Sequence, residues 1–513
     1  NSQFESINLY SFINYKISNT FTFSSELTYL NYLAQQPGGL TDKMFVENPY
    51  QSNRERNWFH VDWLLYNVKM LYNINNKQKI SLSFFGLDAH RYALGFRDNR
   101  VDQIDPENER DLIKGWFNNY GLETRILNKY KIVNKEAVFL LGAKYYHSNN
   151  ISQQGAGSLD NDADFNYYNT QYPFYSNQSY YKYPNLNYAL FFENIFYVDS
   201  QFSITPGLRY EYINTRSDGF YRNIRLNLAA QPINDSTYYS ETNNLRDFIL
   251  FGSGFSYKIK LLEMYANISQ NYRSVTFSDI SIKNPSFIIN PNIKDENGYT
   301  YDIGIRGVYK QYLRYDFNYF GLLYNNRIGF MQKTIEEFPG YFTVKTERSN
   351  IGDALINGFE SILDLNWKNF LFSNINLNTY TNFAYTESIY LRSEANGIAG
   401  NRVEFTPKYN LKCGFSMSYK QYMYNMQLSY ISDQYTDATN SQESDISGII
   451  GEIPSYYIVD ISSKFNHENI SLYLGVNNLF NILYFTRRAT GYPGPGIIPA
   501  PTRNYYITIE LKI

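Results

Sequence analysis

The sequence contains a single cysteine and no uninterrupted apolar run of roughly 18 residues, the length that a membrane-spanning helix requires. Cys413 alone cannot form an internal disulfide, and any membrane crossing must be made by a closed sheet. Positive charge is not in excess, because 46 Lys and Arg residues stand against 48 Asp and Glu residues. The net charge of −2 therefore predicts no nucleic-acid partner. The chain begins at Asn1 without a charged and then apolar leader, so we expect any signal peptide to have been removed or to lie upstream.

Motifs for catalysis and metal binding are also missing. The four histidines are scattered, at His60, His90, His147 and His467. No HExxH, GxSxG or P-loop pattern occurs, and an outer-membrane lipase or protease, which needs a positioned nucleophile and base, is the disfavoured alternative. Two acidic stretches, around Asp105 and Asp162, lack the glycine and distal glutamate of a calcium loop, and we interpret them as solvated charge. We predict no catalytic residues, no metal site and no cofactor.

Aromatic residues are abundant instead. The chain has 53 Tyr and 37 Phe, and aromatics make up 18% of its residues although the mean hydropathy is only −0.46. A soluble core would favour Leu, Ile and Val, whereas the two girdles of a transmembrane barrel place Tyr and Phe where hydrocarbon meets the lipid headgroups. The alternative interpretation is an ordinary soluble all-β protein from a genome rich in Tyr and Asn.

Long segments of the chain alternate apolar and polar residues with a period of two, which is typical of strands with one buried face. In the last segment, one face carries Tyr505, Ile507, Ile509, Leu511 and Ile513. Four preceding segments, within residues 411–476, repeat this arrangement. A soluble sandwich would show the same alternation, so the period alone does not separate a sandwich from a barrel.

The lengths of the connections separate the two folds. Short turns alternate with long polar connections, as the periplasmic turns and extracellular loops of a barrel do. The long connections are predicted at residues 33–56, 93–113, 148–183, 215–245, 276–296, 386–404, 433–453 and 481–502. We therefore predict an all-β fold, a transmembrane antiparallel up-and-down β-barrel over residues 1–513, with about nineteen strands in this sequence.

The direction of the first and last strands indicates that strands are missing. The first segment, residues 6–16, ends in a short turn and the last follows a long loop, so both run from the outside towards the periplasm. Single-chain bacterial barrels usually have an even number of strands with both termini in the periplasm. We therefore expect an odd number of strands before Asn1. A barrel of about 20 or more strands also belongs to the size class whose lumen holds a plug.

Several motifs resemble the barrel of the TonB-dependent outer-membrane receptors. The most specific are residues 475–481 (GVNNLFN) followed by Tyr484, and residues 501–506 (PTRNYY), which resemble the last two strands. Supporting motifs are residues 207–211 (GLRYE), 357–360 (NGFE) and 405–410 (FTPKYN). Residues 35–39 (QQPGG), 54–59 (RERNWF) and 271–280 (NYRSVTFSDI) are most similar to ferric-citrate-type receptors of Bacteroidetes-like bacteria. The chain departs from the family pattern by ending on Ile513, where such barrels usually end on an aromatic residue.

The resemblance implies an N-terminal plug and an energy-coupling box, and nothing in this sequence resembles either. It also implies 22 strands, so that three strands and the plug would lie upstream of the about nineteen that the pattern indicates. The implied function is uptake of a scarce ligand across the outer membrane, such as ferric citrate or another siderophore, driven by a TonB-type energy-coupling protein through the missing N-terminal part. Expected partners are outer-membrane lipid, the ferric chelate and a surface lipoprotein. The alternative is a passive porin-like channel, or a structural or surface-binding barrel within a larger outer-membrane assembly.

Cations in the outer loops and on the lumen wall would attract an anionic chelate. The loop candidates for ligand binding are Arg54, Arg56, Arg97 and Arg100, with His90 and Arg91 near the outer end of their strand. The lumen candidates are Arg209 and Arg306, each on the polar side of its strand. For each of them, the alternative is a structural ion pair with a neighbouring carboxylate or with a plug carboxylate.

Overall fold

The alternating segments form long strands that pair with their neighbours along the chain. The structure, a computed structural model, describes residues 3–97, 101–229, 231–276, 287–338, 340–368, 375–445, 448–489 and 494–512. The strands are β1 Phe4–Lys16, β2 Phe21–Gln35, β3 Trp58–Asn73, β4 Gln78–Gly95, β5 Asp111–Ile132, β6 Lys135–Ala156, β7 Ser179–Tyr197, β8 Phe202–Leu226, β9 Pro232–Ile259, β10 Leu262–Arg273, β11 Phe287–Ile289, β12 Glu296–Tyr309, β13 Leu313–Phe338, β14 Tyr341–Asn366, β15 Asn376–Arg392, β16 Tyr409–Tyr419, β17 Tyr422–Ile431, β18 Gln434–Tyr435, β19 Glu452–Ile453, β20 Tyr456–His467, β21 Ile470–Asn477, β22 Phe485–Ala489, β23 Gly496–Pro499 and β24 Asn504–Leu511. One short helix, α1 Asp42–Glu47, lies between β2 and β3, and within the described ranges no helix is long and apolar enough to cross a bilayer.

One sheet contains 20 of these strands. All of them except β11 form an up-and-down meander, in which each strand pairs antiparallel with the next one in the sheet. The three residues of β11 add to β14 in parallel. The remaining pairs, β18 with β19 and β22 with β23, form two small separate sheets within outer connections. The all-β up-and-down order and the count of about nineteen strands are therefore confirmed.

Short turns join the strands at one end of the sheet. Five of them contain residues with positive φ, namely Val133 (46°) with Asn134 (66°), Lys260 (50°), Lys310 (51°), Lys420 (52°) and Glu468 (46°). In two others a side chain closes the turn, because Asn75 Oδ1 accepts from the Lys77 amide (2.8 Å) and Asp199 Oδ1 accepts from the Gln201 amide (2.7 Å). The longer connections all lie at the opposite end, which we call the outer end.

One face of the sheet is apolar and the other is polar. A row of register partners on the apolar face consists of Val68, Phe84, Leu122 and Tyr145. The adjacent residue of each strand points to the opposite face. These residues form a second row of register partners on the polar face, which consists of Lys69, Ser83, Glu123 and Lys144. Phe84 and Leu122 are 43% and 42% exposed, so the apolar face is open to contact with lipid. The polar face is therefore the lumenal face.

Two rows of aromatic rings cross the apolar face. The outer row consists of Tyr120, Tyr145, Tyr188 and Tyr212, whose consecutive ring centres are 6.2, 5.3 and 6.0 Å apart. The inner row consists of Tyr130, Phe139 and Phe192, with separations of 5.9 and 6.4 Å. Along β5 the two rows are about ten residues apart, which is the length of strand that crosses the hydrocarbon core. We therefore assign the span of β5 to the segment between Tyr120 and Tyr130, and residues 111–119 project above it.

The prediction of a long loop at residues 215–245 is wrong. β8 and β9 continue through most of this segment as a paired hairpin, from the Thr215–Asn244 pair to the Arg225–Asn234 pair. Stacked cross-strand rings, such as those of Tyr221 and Tyr238, stabilise the pairing although the segment is polar. The hairpin of β13 and β14 likewise extends far beyond the outer row of rings, with 26 residues in each strand.

The edges of the sheet are β1 and β24, and both run from the outer end to the inner end. Among the described residues no hydrogen-bonded pairing joins these two strands, and the residues of both are exposed. The outer connections at the two ends of the sheet nevertheless touch. Leu40 and Ile497 exchange two backbone hydrogen bonds of 2.9 and 2.8 Å, and the Tyr50 hydroxyl donates to Thr502 Oγ1 over 3.0 Å. The sheet therefore curves so far that its first and last outer connections meet.

Buried apolar side chains gather at the outer end of the sheet. One cluster contains Ile351, Ala354, Tyr390, Ile398, Val403 and Ala438. A second contains Leu40, Ile453, Phe485 and Ile497, and a third contains Trp58, Leu94 and Leu112. Each cluster packs outer connections against strand ends, so these connections form an ordered rim around the mouth of the sheet.

Candidate functional site

Arg54 joins the first two long connections. Its guanidinium donates to the carbonyl oxygens of Asn53 (2.8 Å) and Gln103 (3.0 Å). Its Cζ also lies 4.9 Å from the centre of the Phe96 ring, a cation–π contact. Because Arg54 is only 4% exposed, these contacts fix the connection between β2 and β3 against the connection between β4 and β5.

Arg56 lies two residues further along and also points into the protein. It binds Asp105 through two hydrogen bonds, one of which joins Nε to Oδ2 over 2.8 Å, and Nη1 donates to the Leu159 carbonyl over 2.9 Å. Burial alone would raise the pKa of Asp105, but the hydrogen bonds from Arg56 and from the Glu107 amide, with the Arg56 charge, outweigh burial and lower it. Arg56 therefore holds three outer connections together.

Arg110, which no sequence pattern indicated, completes this arrangement. Arg110 is 0% exposed, and its guanidinium donates to the carbonyls of Arg56 (2.9 Å), Asp162 (2.8 Å) and Ser158 (3.1 Å). Burial, and then the nearby charge of Arg56, lower the pKa of Arg110. Its sequence neighbourhood differs little from those of the other loop arginines, so no local signal distinguishes it.

His90 and Arg91 are adjacent in β4 and therefore point to opposite faces of the sheet. Arg91 is exposed on the lumenal face, where its Cζ lies 5.6 Å from the centre of the Phe117 ring. His90 is half-buried on the outward face and stacks on Tyr92, with ring centres 6.0 Å apart. The structure therefore separates these two candidates.

Arg97 lies at the outer end of the sheet, beside the buried carboxylate of Asp111. Its Nη1 is 3.5 Å from Asp111 Oδ2, and Asp111 also accepts from Gln154 Nε2 (2.9 Å) and from the Tyr175 hydroxyl (3.1 Å). Burial raises the pKa of Asp111, and the charge of Arg97 offsets this only in part. The remaining loop candidate, Arg100, lies outside the residues that the structure describes.

Arg209 and Arg306 both line one cleft in the lumenal wall, of about 730 Å³. Glycines form the floor of this cleft, because Gly207 and Gly252 are direct register partners and Gly254 follows two positions later. Each arginine has a glutamate partner on the same face. Arg209 Nε donates to Glu211 over 2.5 Å, and Arg306 Nε donates to Glu263 over 3.0 Å. The side chains remain 37% and 52% exposed, so both guanidinium groups are open to the lumen.

The structure thus brings the candidates together in two places, Arg54 with Arg56 at the rim and Arg209 with Arg306 in the cleft. Ligand binding by any of these residues, and by His90, Arg91, Arg97 and Arg100, stays a prediction. Within the described part of the chain, no group of three or more His, Cys, Asp or Glu side chains is arranged to hold a metal ion.

A family model for the TonB-dependent receptor-like β-barrel matches residues 4–479, which is most of the chain. The chain belongs to this family. TonB-dependent receptors are transporters of the outer membrane and not enzymes, so the predictions of a non-enzymatic function and of an outer-membrane location are confirmed. In this receptor barrel the ordered outer rim faces the medium and the short turns face the periplasm.

Solved structures with the same fold include three receptors. The ferric citrate transporter FecA in its unliganded form has a TM-score of 0.76 and 17% identity, over 99% of this chain and 70% of FecA. The siderophore receptor PiuA from Acinetobacter baumannii has a TM-score of 0.73 and 13% identity, over 99% of this chain and 74% of PiuA. The ferric yersiniabactin uptake receptor FyuA from Yersinia pestis has a TM-score of 0.72 and 13% identity, over 99% of this chain and 71% of FyuA. At these identities the likeness concerns the fold alone.

Proposed function

We propose that this receptor barrel imports a scarce ferric chelate, such as ferric citrate or another siderophore, by energised transport across the outer membrane. The family match over residues 4–479 carries the proposal. The similarity of the fold to the ferric citrate transporter FecA and to two siderophore receptors supports the choice of ligand class. The resemblance to ferric-citrate-type receptors of Bacteroidetes-like bacteria is part of the proposal.

We also propose that a plug, an energy-coupling box and three strands precede Asn1 in the complete protein. Two observations support this. β1 and β24 run in the same direction, so only an odd number of further strands can close the sheet with antiparallel pairing throughout. The chain also covers only 70% of FecA, which leaves room for additional segments. The box would bind a TonB-type protein, and the plug would gate the lumen. A surface lipoprotein stays a prediction.

For ligand contact we propose the cations that are exposed towards the lumen. Arg91 stands on the lumenal face above the span, and Arg209 and Arg306 stand farther down in the cleft. Arg54 and Arg56 are almost fully buried, and we propose that they act on ligand binding by holding the outer connections in place. An anionic chelate would meet Arg91 first. Its carboxylates would then replace the glutamate side chains as the partners of Arg209 and Arg306.

The experiment uses the complete gene in cells that lack other receptors for the probe. Accumulation of radioactive iron from ferric citrate, and from a ferric catecholate, is measured with and without a protonophore and in a strain without the TonB-type protein. We expect iron to accumulate from at least one of the two chelates, and we expect this accumulation to be lost in both control conditions. Accumulation that continues in both conditions would favour the passive channel, and absence of accumulation for every ferric chelate would refute the ligand class.

A further inference from the structure

The apolar face of the sheet has a groove near its inner end, between strands β8 and β14. The groove has a volume of about 430 Å³ and is lined almost wholly by apolar and aromatic residues. Ala266 forms part of its floor, because this small side chain stands between the larger side chains of its register partners, Phe255 and Ile303. Strand alternation turns Ile303 away from the lumen, since Arg306 is on the lumenal face three positions later. The groove therefore opens towards lipid.

Aromatic side chains form the two walls of the groove. On one side, the ring centres of Phe202 and Tyr257 are 6.4 Å apart and the rings meet edge to face. On the other side, the rings of Phe317 and Phe359 stack, with centres 6.2 Å apart. The strands between these walls, β10 and β12, carry the aliphatic side chains of the floor. A hydrocarbon chain in such a groove gains dispersion contacts on three sides.

The inner end of the groove lies where hydrocarbon meets the headgroups. Tyr257, which lines the groove, precedes Lys260 in the next turn by three residues. Tyr130 of the inner aromatic row precedes the turn after β5 by the same number of residues. At its other end the groove reaches Ile303, seven residues before Lys310, which is about 23 Å along the strand. The groove therefore runs from the headgroup level into the hydrocarbon of the periplasmic leaflet.

Two exposed lysines flank the inner end of the groove. Lys260 lies in the turn between β9 and β10, and Lys310 lies in the turn between β12 and β13. The Val308 amide donates to the Leu261 carbonyl over 3.4 Å, which holds the first turn against β12. Lys310 Nζ lies 5.6 Å from the centre of the outward-facing Tyr309 ring, so its charge is on the lipid side. The two turns are two strand spacings apart, about 10 Å, and both side chains can reach one phosphate between them.

The carboxylates nearest in sequence to these lysines point to the other face of the sheet. Glu263 accepts from Arg306 Nε over 3.0 Å, and Asp316 accepts from the Tyr265 hydroxyl over 2.8 Å, both on the lumenal side. None of the residues that line the groove is charged. The two turn lysines therefore make the inner end of the groove positive.

We infer that the groove binds an acyl chain of an anionic phospholipid of the periplasmic leaflet, with the headgroup phosphate between Lys260 and Lys310. The aromatic walls and aliphatic floor bind the chain, and the paired cations favour a headgroup with net negative charge over a zwitterionic one. The position at the periplasmic end selects a phospholipid, because lipopolysaccharide occupies the outer leaflet. This site faces the membrane, so it is independent of the transported ligand.

The test measures lipid binding by native mass spectrometry, on the receptor expressed from the complete gene and held in a mild detergent. The probes are dioleoyl phosphatidylglycerol and dioleoyl phosphatidylcholine, which have the same chains and differ in net charge. The wild type should bind one phosphatidylglycerol molecule at least about fivefold more tightly than phosphatidylcholine. K260Q and K310Q should each weaken phosphatidylglycerol about fivefold and phosphatidylcholine less than about twofold. K310R keeps the charge and should bind as the wild type does.

A second variant tests the part of the site that holds the chain. A266F fills the floor of the groove and adds no charge. It should weaken both probes to a similar extent, by at least about threefold, because their chains are the same. Ala266 faces lipid, so the barrel should still fold, and the shift of electrophoretic mobility on heating verifies this.

Lys420 provides the matched control. Residues 419–422 repeat the sequence YKQY of residues 309–312, and Lys420 Nζ lies 5.2 Å from the centre of the Tyr419 ring. The φ angles of Lys420 and Lys310 are 52° and 51°. No residue of β16 or β17, both of which the structure describes in full, lines the groove. K420Q should therefore leave the affinity for both probes unchanged.

Three results would overturn the lipid site. Equal losses of phosphatidylglycerol in K420Q and K310Q would show a diffuse attraction to the lysines of the inner turns. Equal affinities of the wild type for the two probes would remove the role of the headgroup, and unchanged binding in A266F would remove the role of the groove. A receptor dimer without bound lipid that A266F dissociates would instead assign the groove to a second copy of the chain.

Discussion

The Arg488 guanidinium binds both carboxylate oxygens of Asp42, over 2.8 and 2.6 Å, although the two residues are 446 positions apart. Arg488 lies in the last outer connection and Asp42 opens α1 in the first. The same guanidinium donates to the Glu452 carbonyl over 2.9 Å, so it also holds the connection between β17 and β20. Burial would raise the pKa of Asp42, but the hydrogen bonds from Arg488 and Ser444 lower it. This ion pair therefore links the two ends of the sheet at the outer rim.

Replacing Arg488 with Ala should loosen the rim where the two ends meet. The Arg488 side chain is 2% exposed whereas that of Asp42 is 42% exposed, so water can solvate the released carboxylate and limits the cost. We expect a local loss of about 1–3 kcal/mol. Hydrogen exchange at the amides of Leu40 and Ile497 measures this loss. The adjacent Arg487 is exposed, and R487A should leave exchange unchanged. Unchanged protection of both amides in R488A would show that the apolar cluster alone holds the rim.

Acid should loosen the connection between β4 and β5 through Asp105. The pKa of Asp105 is lower in the folded protein than its value of about 4 in the unfolded chain. The ion pair with Arg56 therefore stabilises the folded connection fully above a pH of about 4, and this stabilisation is lost as the pH falls through the folded pKa. Hydrogen exchange of residues 101–110, corrected for intrinsic rates, should therefore become faster when the pH is lowered from about 7 to about 3. D105N should be loose at both pH values, whereas E107Q should behave as the wild type. A pH effect that survives in D105N would point to another carboxylate.

The strands could be predicted because their signal is local. Apolar and polar residues alternate along the strands of the meander, as they do from Tyr505 to Leu511. Turn residues such as Asp199 separate one strand from the next. The hairpin at residues 215–245 escaped prediction because its Asn, Ser and Asp residues are typical of loops. Its strand form depends on cross-strand pairs such as Tyr221 with Tyr238, and local composition does not encode these pairs.

The roles of the loop arginines could not be predicted, because their partners are distant in the chain. Arg56 meets Asp105 across 49 positions and Leu159 across 103 positions. An exposed cation and a buried structural one have the same local sequence appearance, so Arg54 and Arg91 look equivalent until the fold is known. The lumenal positions of Arg209 and Arg306 were accessible from sequence because strand alternation alone fixes them.

Replacing Arg110 with Met should loosen two outer connections at once. The change keeps the approximate length of the side chain but removes the hydrogen bonds that the guanidinium donates to the carbonyls of Arg56, Ser158 and Asp162. Because Arg110 is 0% exposed, those carbonyls lose partners that water does not readily replace, and we expect a local loss of about 2–4 kcal/mol. Limited proteolysis should cut residues 101–110 and residues 157–178 together.

The control for R110M is an exposed arginine in an ion pair. Arg392 Nη2 lies 2.6 Å from Asp353 and its side chain is 81% exposed, so R392M should cost less than about 1 kcal/mol. If R110M exposed only one of the two connections to the protease, Arg110 would not be their common support.

Adjacent residues in β4 test which face of the sheet contacts lipid. Leu82 is 36% exposed on the apolar face between the two aromatic rows, and Ser83 lies on the lumenal face with its hydroxyl 2.8 Å from Asn67 Oδ1. In L82R the guanidinium enters hydrocarbon, which should reduce the stability of the folded barrel in lipid vesicles by about 2–4 kcal/mol. In S83R the same group enters the polar lumen, and the cost should be below about 1 kcal/mol. Urea titrations of the two variants measure the difference.

The two costs can be compared directly, because L82R and S83R introduce the same charged side chain at adjacent positions of one strand. Only the direction of the side chain differs, since successive residues of a strand point to opposite faces. A greater loss in S83R than in L82R would exchange the lipid and lumenal faces. Arg91, Arg209 and Arg306 would then point away from the lumen, and the proposed contacts of these residues with the ligand would fail together.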